Sequence, residues 1–337
     1  MDPISHLAFG RTLVALTRQG RSTRGTIGAA MLGSLAPDVD AVFMPFGWDR
    51  YLRAHEIGTH SLVGAMACAV VSAALIRPAR RETRFVALLS GAAIGTLSHL
   101  VLDVVSGARV RLFWPFADPH VTVPLVAMAD PILLSILVAG AIGVVLARGR
   151  HQRVAAAAAL TIAGVFLAVK GVLALSAIRT YELGRSADPV DARVVEASWG
   201  TLREWTVFDR TASEVRAWGV RAGTPRADLL LHWPRPRLEG LVGDSIDWPT
   251  VRNFQRPHEL QLVTVAAEAG GHFMVLWSDV RFCWDASARP PSGDQPVLLA
   301  ADGRRLACGL WFGGEVDADG RVLRQIVRVG TWVQTRH

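Results

Sequence analysis

Ionisable side chains interrupt apolar sequence at three places in the first third of this chain. His55 and His60 stand five residues apart, directly before a long apolar run. Upstream, Asp38 and Asp40 are separated by a single valine near the end of another apolar stretch. Charged groups and imidazoles are costly at membrane depth, where they usually mark a functional site. Imidazole and carboxylate are also common ligands of divalent metals, so these residues indicate a metal site.

The third place is a histidine–aspartate pair inside a long apolar stretch. His99 and Asp103 have the spacing i and i+4, which puts both side chains on one face of a helix. An imidazole and a carboxylate that project together are suitable ligands for zinc or a similar ion. Asp38 and Asp40 could then reach the same metal or orient a histidine that binds it.

Each of these residues also has an ordinary structural explanation. A histidine at the end of a membrane helix is commonly an interfacial or hydrogen-bonded residue, and an aspartate after proline is commonly a helix cap. The metal site is favoured because all the candidates are predicted to lie at the same end of their helices. The candidate ligands are His6, Asp38, His55, His60, His99 and Asp103, with Asp40 as an additional one.

Other residues near these ligands could contribute to catalysis. Glu56 lies inside the histidine motif and is a candidate general base for a metal-bound water, and Asp40 is the alternative base. Arg109 and Arg111 follow the histidine–aspartate pair and could hold an anionic substrate such as a phosphate. Pairing with Asp118 or with lipid headgroups explains these two arginines equally well.

The composition favours a membrane protein with a second, soluble domain. Of the 337 residues, 51% are hydrophobic and 19% are charged, and the mean hydropathy is +0.30. Long apolar blocks continue to about Ile178, after which charged residues, Pro and Trp are interspersed. We therefore expect a multi-pass membrane domain at 1–178 and a separate domain at 179–337. Loop arginines explain the net charge of +7, so no nucleic-acid partner is expected.

The membrane domain is predicted to contain about five to six membrane helices. A short helix is followed by five stronger apolar blocks, and the six segments are 4–16, 26–46, 62–76, 85–105, 132–147 and 154–178. Several are shorter than the ~20 residues of a full span, so partial or tilted helices are expected. Arginine-rich segments at 18–24, 77–84 and 148–153 should face the cytoplasm. The candidate ligands and residues 179–337 then lie on the extracytoplasmic side.

Residues 179–337 are predicted to form a β-rich α+β domain. The β-like runs are 193–197, 205–208, 215–220, 227–231, 260–266, 272–277 and 321–329. Abundant tryptophans favour a core and a membrane-facing belt over a surface that binds glycans or headgroups. Cys283 and Cys308 could pair if the domain is extracytoplasmic, and the sequence leaves this open. The domain shows no catalytic signature.

The order of the N-terminal motifs resembles a known family. The motifs are Asp-Pro-x-x-His, Gly-Ser-Leu-Ala-Pro-Asp-Val-Asp, His-x-x-x-Thr-His-Ser, Ser-His-Leu-x-Leu-Asp and Trp-Pro-Phe, within residues 1–131. They are similar to those of the YdjM-type inner-membrane, metal-dependent hydrolases, which are also described as LexA-binding and membrane-associated. The ligand order is distantly similar to zinc-dependent phospholipase C and S1/P1-type nucleases.

The resemblance implies a ligand set, a cofactor and a location. The implied ligands are His6, Asp38, His55, His60, His99 and Asp103, with Asp40 next to them. The implied cofactor is one or more divalent ions, with zinc expected, in a multi-pass protein of the inner membrane. The family usually has His-Arg-Gly before Thr-His-Ser, whereas this chain has His55-Glu56-Ile57-Gly58.

Two functions follow as expectations. The first is a membrane-bound hydrolase that uses a metal-activated water on a phosphoester or another lipid or envelope ester. Its partners would be the lipid bilayer and an anionic or lipid-like substrate. The second is a non-catalytic membrane protein with a structural metal and a C-terminal domain that binds a partner. A transporter is less favoured, because the sequence shows no repeat symmetry.

The predicted orientation can be tested with a reporter fusion. Alkaline phosphatase fused after residue 337 should be active, because the enzyme folds only outside the cytoplasm. A fluorescent reporter that matures only in the cytoplasm should stay dark at the same position. The reverse pattern would place the C-terminal domain in the cytoplasm.

Overall fold

The computed structural model describes residues 1–17, 24–48, 50–51, 55, 58–184, 189–255, 259–287, 289–291, 295–299 and 305–336. A helical N-terminal region is followed by a β-rich C-terminal part with several sheets, as the sequence predicts. The helices of the first region are α1 (Pro3–Leu16), α2 (Arg24–Gly33), a 3-10 helix (Ala36–Phe46), α3 (Leu62–Ile76), α4 (Phe85–Val105), α5 (Pro131–Leu146) and α6 (His151–Gly184).

Local capping explains where three of these helices begin. Asp2 accepts a hydrogen bond from the backbone N–H of Ser5, and Ser61 accepts one from Gly64. Asp130 accepts from the backbone of two residues in the first turn of α5. Each cap satisfies N–H groups that the helix itself leaves without a partner.

Fewer helices can cross a membrane than the five to six that the sequence predicts. Within the described residues, three segments are long and apolar enough, namely Leu62–Ala79, Phe85–Val105 and His151–Gly184. A fourth span results if α2 and the 3-10 helix, which bend by 48° at their break, count as one. The difference has a simple cause, because α1 has 14 residues and α5 has 16, or about 21–24 Å of helix against a ~30 Å hydrocarbon core.

The helices pack side by side through small residues. Ala29 of α2, Ala69 and Ala73 of α3, and Leu88 and Ala92 of α4 form one buried cluster. Small side chains of this kind let the backbones of membrane helices approach closely.

Two glycines bring α2 and α4 into direct backbone contact. A Cβ on Gly95 would lie 2.1 Å from the carbonyl oxygen of Ala30, and one on Gly33 would lie 2.4 Å from that of Ala92. This approach sets Ser34, which follows α2, beside the fourth turn of α4. The same turn carries His99.

The C-terminal part consists of antiparallel sheets. The first has the order β1 (Ala192–Ala197), β2 (Glu204–Arg210), β3 (Glu214–Arg221) and β4 (Asp228–Pro234). The second contains β5 (Gln261–Ala267), β6 (Phe273–Asp279), β10 (Leu310–Val316), β11 (Val322–Val329) and β12 (Trp332–Arg336), in the order β12-β11-β10-β6-β5. The third has the order β7-β9-β8, with β7 at Cys283–Asp285, β8 at Val297–Leu299 and β9 at Arg305–Cys308. The short helices α7 (Gly240–Ser245) and α8 (Pro249–Gln255) precede the second sheet.

Tryptophans form much of the core of these sheets. Trp205, Trp277 and Trp311 are fully buried, and each belongs to a different hydrophobic cluster. Cys283 and Cys308 face each other in the β7–β9 pair and form a disulfide.

The β-rich part rests on the helices at several points. Helix α6 continues past Ile178, and its last turns place Ala177 and Tyr181 against the first sheet. The buried Lys170 donates a hydrogen bond to the carbonyl oxygen of Thr201, and its Nζ lies 4.7 Å from the ring centre of Trp205.

A second contact ties the segment after the 3-10 helix to the sheets. Trp48 packs against the cluster that contains Trp277, and Arg336 of β12 donates a hydrogen bond to the carbonyl oxygen of Phe46. The start of the segment that leads to His55 and His60 is therefore anchored to the second sheet.

The glycine contact between α2 and α4 can be tested with a matched pair of variants. Gly95→Ala should lower the free energy of unfolding by about 1–3 kcal/mol, because its Cβ overlaps a backbone carbonyl. Gly143→Ala in α5 should be neutral or slightly stabilising, because nothing lies within 4 Å of a Cβ there. Thermal unfolding of the two proteins in the same detergent would measure the difference. Equal stability would contradict the close approach.

Candidate metal centre

Four side-chain atoms from three separate segments converge at one end of the helices. His60 Nε2 lies 3.3 Å from His99 Nε2 and 3.5 Å from Asp103 Oδ2. Asp38 Oδ1 lies 3.3 Å from His60 Nε2 and 3.5 Å from His99 Nε2. His99 Nε2 is 2.9 Å from Asp103 Oδ2.

These separations fit the ligand shell of a small divalent ion. Zinc bonds to nitrogen and oxygen are about 2.0–2.1 Å, so neighbouring ligand atoms of a tetrahedral site lie roughly 3.3–3.4 Å apart. Most of the observed separations are within a few tenths of an ångström of this value. The donor set of two imidazoles and two carboxylates also carries the two negative charges that balance a divalent cation.

The hydrogen bonds of His99 strengthen this interpretation. Its Nδ1 lies 2.9 Å from the carbonyl oxygen of Ser34, which can only accept, so Nδ1 donates. In a neutral ring, Nε2 then directs a lone pair at Asp103 Oδ2 and at His60 Nε2. A proton on Nε2 would satisfy one of these neighbours, whereas a metal ion would satisfy all of them.

His6 adds a fifth donor beside this group. Its ring stacks on that of His99 with 3.8 Å between centroids, and its Nε2 lies 3.3 Å from Asp103 Oδ1. The residue is fully buried, yet neither ring nitrogen has a hydrogen-bond partner among the described residues. Buried polar atoms without partners are rare and costly, which favours His6 as a ligand. The amino group of Met1 also contacts Asp103 Oδ1.

A second group of donors lies on the other side of the His60 ring. Asp40 Oδ2 is 2.9 Å from His55 Nδ1 and 4.0 Å from His60 Nδ1. His60 Nδ1 is also 3.2 Å from the hydroxyl of Thr59. The donor atoms of Asp40, His55 and His60 lie within 4.8 Å of one another, so they too could hold an ion.

Chain geometry explains how these residues meet. Pro37 lies in the first turn of the 3-10 helix, where the chain turns away from α2 and presents Asp38 and Asp40 to the centre. Gly58 has a positive φ of 68°, a conformation that favours glycine, in the turn between His55 and His60. His99 and Asp103 project from adjacent turns of α4.

The structure thus brings all six predicted ligands and Asp40 into two adjoining groups. Their role as metal ligands stays a prediction. Glu56, the other candidate base, lies outside the described residues. The carbonyl of Ser34, which orients His99, carries no signal in the sequence, because any residue has such a group.

The predicted substrate-binding arginines have partners within the chain. Arg109 forms an ion pair with Glu259 of the β-rich part, with 2.9 Å between Nη2 and Oε1. Arg111 pairs with Asp118 at 2.9 Å and donates to His120 Nε2. Burial, with the charges of Arg109 and Arg111, lowers the pKa of His120, so its neutral ring can accept this hydrogen bond. A role in anion binding stays a prediction, and no sequence signal identifies Glu259 as the counter-ion.

Metal analysis of two histidine variants would test the centre. His99→Ala should reduce the bound metal well below that of the wild type, because it removes one of the four converging atoms. His272→Ala is a matched control, since His272 pairs with Glu315 in the second sheet. Elemental analysis of the purified proteins, normalised to chain concentration, would give both values. Equal metal content in His99→Ala and the wild type would contradict the site.

Comparison with known proteins agrees with the helical region and its motifs. A family model described as YdjM inner membrane protein matches residues 1–177. No curated protein and no solved structure matches the chain, so the distant similarity to phospholipase C and S1/P1-type nucleases stays a prediction. The matching family and the apolar helices together support an inner-membrane location. Because the match covers more than half of the 337 residues, the chain belongs to the YdjM inner membrane protein family.

Proposed function

We propose that this protein is a membrane-bound, metal-dependent hydrolase that cleaves a phosphoester or another ester of a lipid or envelope component. The observation that carries the proposal is the convergence of two imidazoles and two carboxylates with metal-ligand spacing. The likeness of the motifs to those of metal-dependent hydrolases supports it. The lipid bilayer beside the helices makes a lipid-like substrate plausible.

The site contains more donors than one four-coordinate ion uses. His60, His99, Asp38 and Asp103 would hold one divalent ion, with zinc as the expected metal. His6 groups with Asp38 and His99, whereas Asp40 and His55 group with His60, so these three residues could complete a neighbouring ion site or assist the reaction. When bound, a divalent ion supplies Lewis acidity and lowers the pKa of water.

Asp40 is the best-placed described residue for proton transfer. It is buried, its Oδ2 interacts with His55 Nδ1, and its Oδ1 has no hydrogen-bond partner among the described residues. A carboxylate with one oxygen held by a histidine and the other without a partner could accept a proton from a water that reaches the site. Glu56 is the competing candidate from the sequence.

Access to the site is one-sided. The side chains of His6, His99 and Asp103 are buried, whereas those of Asp38 and His55 remain 32% and 23% exposed. A substrate would therefore approach past the 3-10 helix and the histidine loop. Arg109 and Arg111 could bind its anionic group if they exchanged their present carboxylate partners for it.

We further propose that the site and the β-rich part face the extracytoplasmic side. The arginine-rich segments lie at the opposite helix ends, where the positive-inside rule places the cytoplasm. The Cys283–Cys308 disulfide supports this orientation, because disulfides persist mainly in oxidising compartments.

A non-catalytic role is the second candidate. Four protein donors close a tetrahedral shell, and closed shells are typical of structural zinc. In that case, the ion would fix the break between α2 and the 3-10 helix against α4, and the β-rich part would bind a partner. Activity measurements separate the two roles.

Acid-to-amide variants would separate ligation from catalysis. Asp40→Asn should keep the metal and lose about 10²–10⁴-fold in turnover if Asp40 is the general base. Glu56→Gln should show that loss instead if Glu56 is the base. His99→Ala should lose both metal and turnover. Turnover would be followed on chromogenic phosphomonoesters, phosphodiesters and acyl esters, with metal content measured in parallel.

The exposed Asp319→Asn is the control, and it should keep both metal and turnover. Full activity in both Asp40→Asn and Glu56→Gln would remove these residues from the mechanism. Wild-type protein that binds metal but cleaves none of these substrates would favour the structural role.

A further inference from the structure

An apolar groove opens on the surface of the helical region, and none of the candidate metal ligands lines it. It lies between α1, α2 and α5 and encloses about 340 Å³. The walls include Leu7 and Ala8 of α1, Met31 of α2, and Ala141 of α5. Ile142 and Leu146 at its edge are 53% and 75% exposed, as expected for side chains that face lipid rather than protein.

One cation stands in this otherwise apolar wall. Arg11 lines the groove, and it has no hydrogen bond or ion pair with any residue that the structure describes. A guanidinium in an apolar environment is costly unless an anion or water satisfies it. Arg11 therefore needs a partner that the described residues do not supply.

The position of Arg11 along the helix restricts that partner. Arg11 lies five residues before Leu16, the last residue of α1, which is about 7.5 Å along the axis. Leu146, at the same groove, is the last residue of α5, and Arg148 and Arg150 follow it. The groove thus ends near the arginine-rich side of the helices, where a long arginine side chain can reach the headgroup region.

We propose that this groove binds one anionic phospholipid of the bilayer. An acyl chain would lie along the apolar wall, and the phosphate would pair with Arg11. The lipid would come from the leaflet at the arginine-rich ends of the helices. This site is separate from the proposed hydrolase centre and does not depend on its chemistry.

Two other occupants fit the observations less well. A two-fold dimer through this face would bring the Arg11 residues of both copies into one interface, where like charges repel. A soluble anion such as inorganic phosphate would satisfy Arg11 but would leave the apolar wall without a partner. A phospholipid satisfies both features at once.

Lipid retention by the full-length protein would test the proposal. The wild type and variants would be purified in one detergent, supplied with phosphatidylglycerol or phosphatidylcholine, and examined by native mass spectrometry. The wild type should retain one phosphatidylglycerol in preference to phosphatidylcholine. Arg11→Gln should bind it about fivefold more weakly, the effect expected of one basic residue at an anionic headgroup. Arg11→Lys should keep most of the binding.

Two matched controls separate the groove from general effects. Ala141→Phe should block the acyl-chain wall and lower retention of both lipids, whereas Ala157→Phe on the exposed face of α6 should not. Arg150→Gln removes an exposed arginine at the same end and should leave retention unchanged.

Three outcomes would overturn the proposal. The first is equal retention in Arg11→Gln and Arg150→Gln. The second is displacement of the bound lipid by millimolar inorganic phosphate. The third is a dimer that forms in the wild type and dissociates in Ala141→Phe.

Discussion

Acceptor atoms that face one another inside a protein repel unless a cation lies between them, and this constraint governs the helical region. The Nε2 atoms of His60 and His99 lie 3.3 Å apart, and carboxylate oxygens of Asp38 and Asp103 lie next to these two nitrogens. In a low-dielectric setting, such repulsion is stronger than in water. The fold therefore acts as a scaffold that holds an electrostatically unfavourable group of donors together, and this group could hold a metal ion.

That scaffold depends on close contact between two backbones. The glycines at the α2–α4 contact allow an approach that any side chain would prevent, and the approach sets the carbonyl of Ser34 against His99. The proline break after α2 then turns the carboxylates of Asp38 and Asp40 inward instead of continuing the helix. Rigid placement of this kind fixes which ring nitrogen of His99 is available and would limit the loss of side-chain entropy if a metal binds.

Sequence patterns predict the parts of this arrangement that local geometry controls. The i and i+4 spacing is sufficient to place His99 and Asp103 together, because a helix has a fixed period. Among the strands of the described residues, β1 to β6 and β11 are recognisable from short β-like runs. The strands β7, β8, β9 and β12 are not, and neither is β10. Its central Gly313 and Gly314 weaken a strand pattern, yet Gly313 meets the backbone of Val275 and Gly314 meets the ring of Trp248.

Contacts between distant segments cannot be predicted from local sequence patterns. The apolar blocks of the sequence predict too many membrane spans, because hydropathy does not show that α1 and α5 are short helices packed among longer ones. Arg109 pairs with Glu259 across 150 residues, and nothing local to either residue specifies the other. The candidate ligands are predicted from their shared depth in the sequence, whereas the distances among them follow only from the fold.

The link between β12 and the 3-10 helix has a consequence for the order of assembly. Arg336 and Phe46 are 290 residues apart in sequence, and Trp48 joins the same distant sheet. Contacts of such long range form late in folding, because the intervening chain must first be brought together. The helices can enter the membrane during synthesis, but the segment with Asp40 and His55 gains its final supports only after the sheets have formed. Membrane insertion and completion of the centre are therefore expected to be successive steps, with folding of the β-rich part between them.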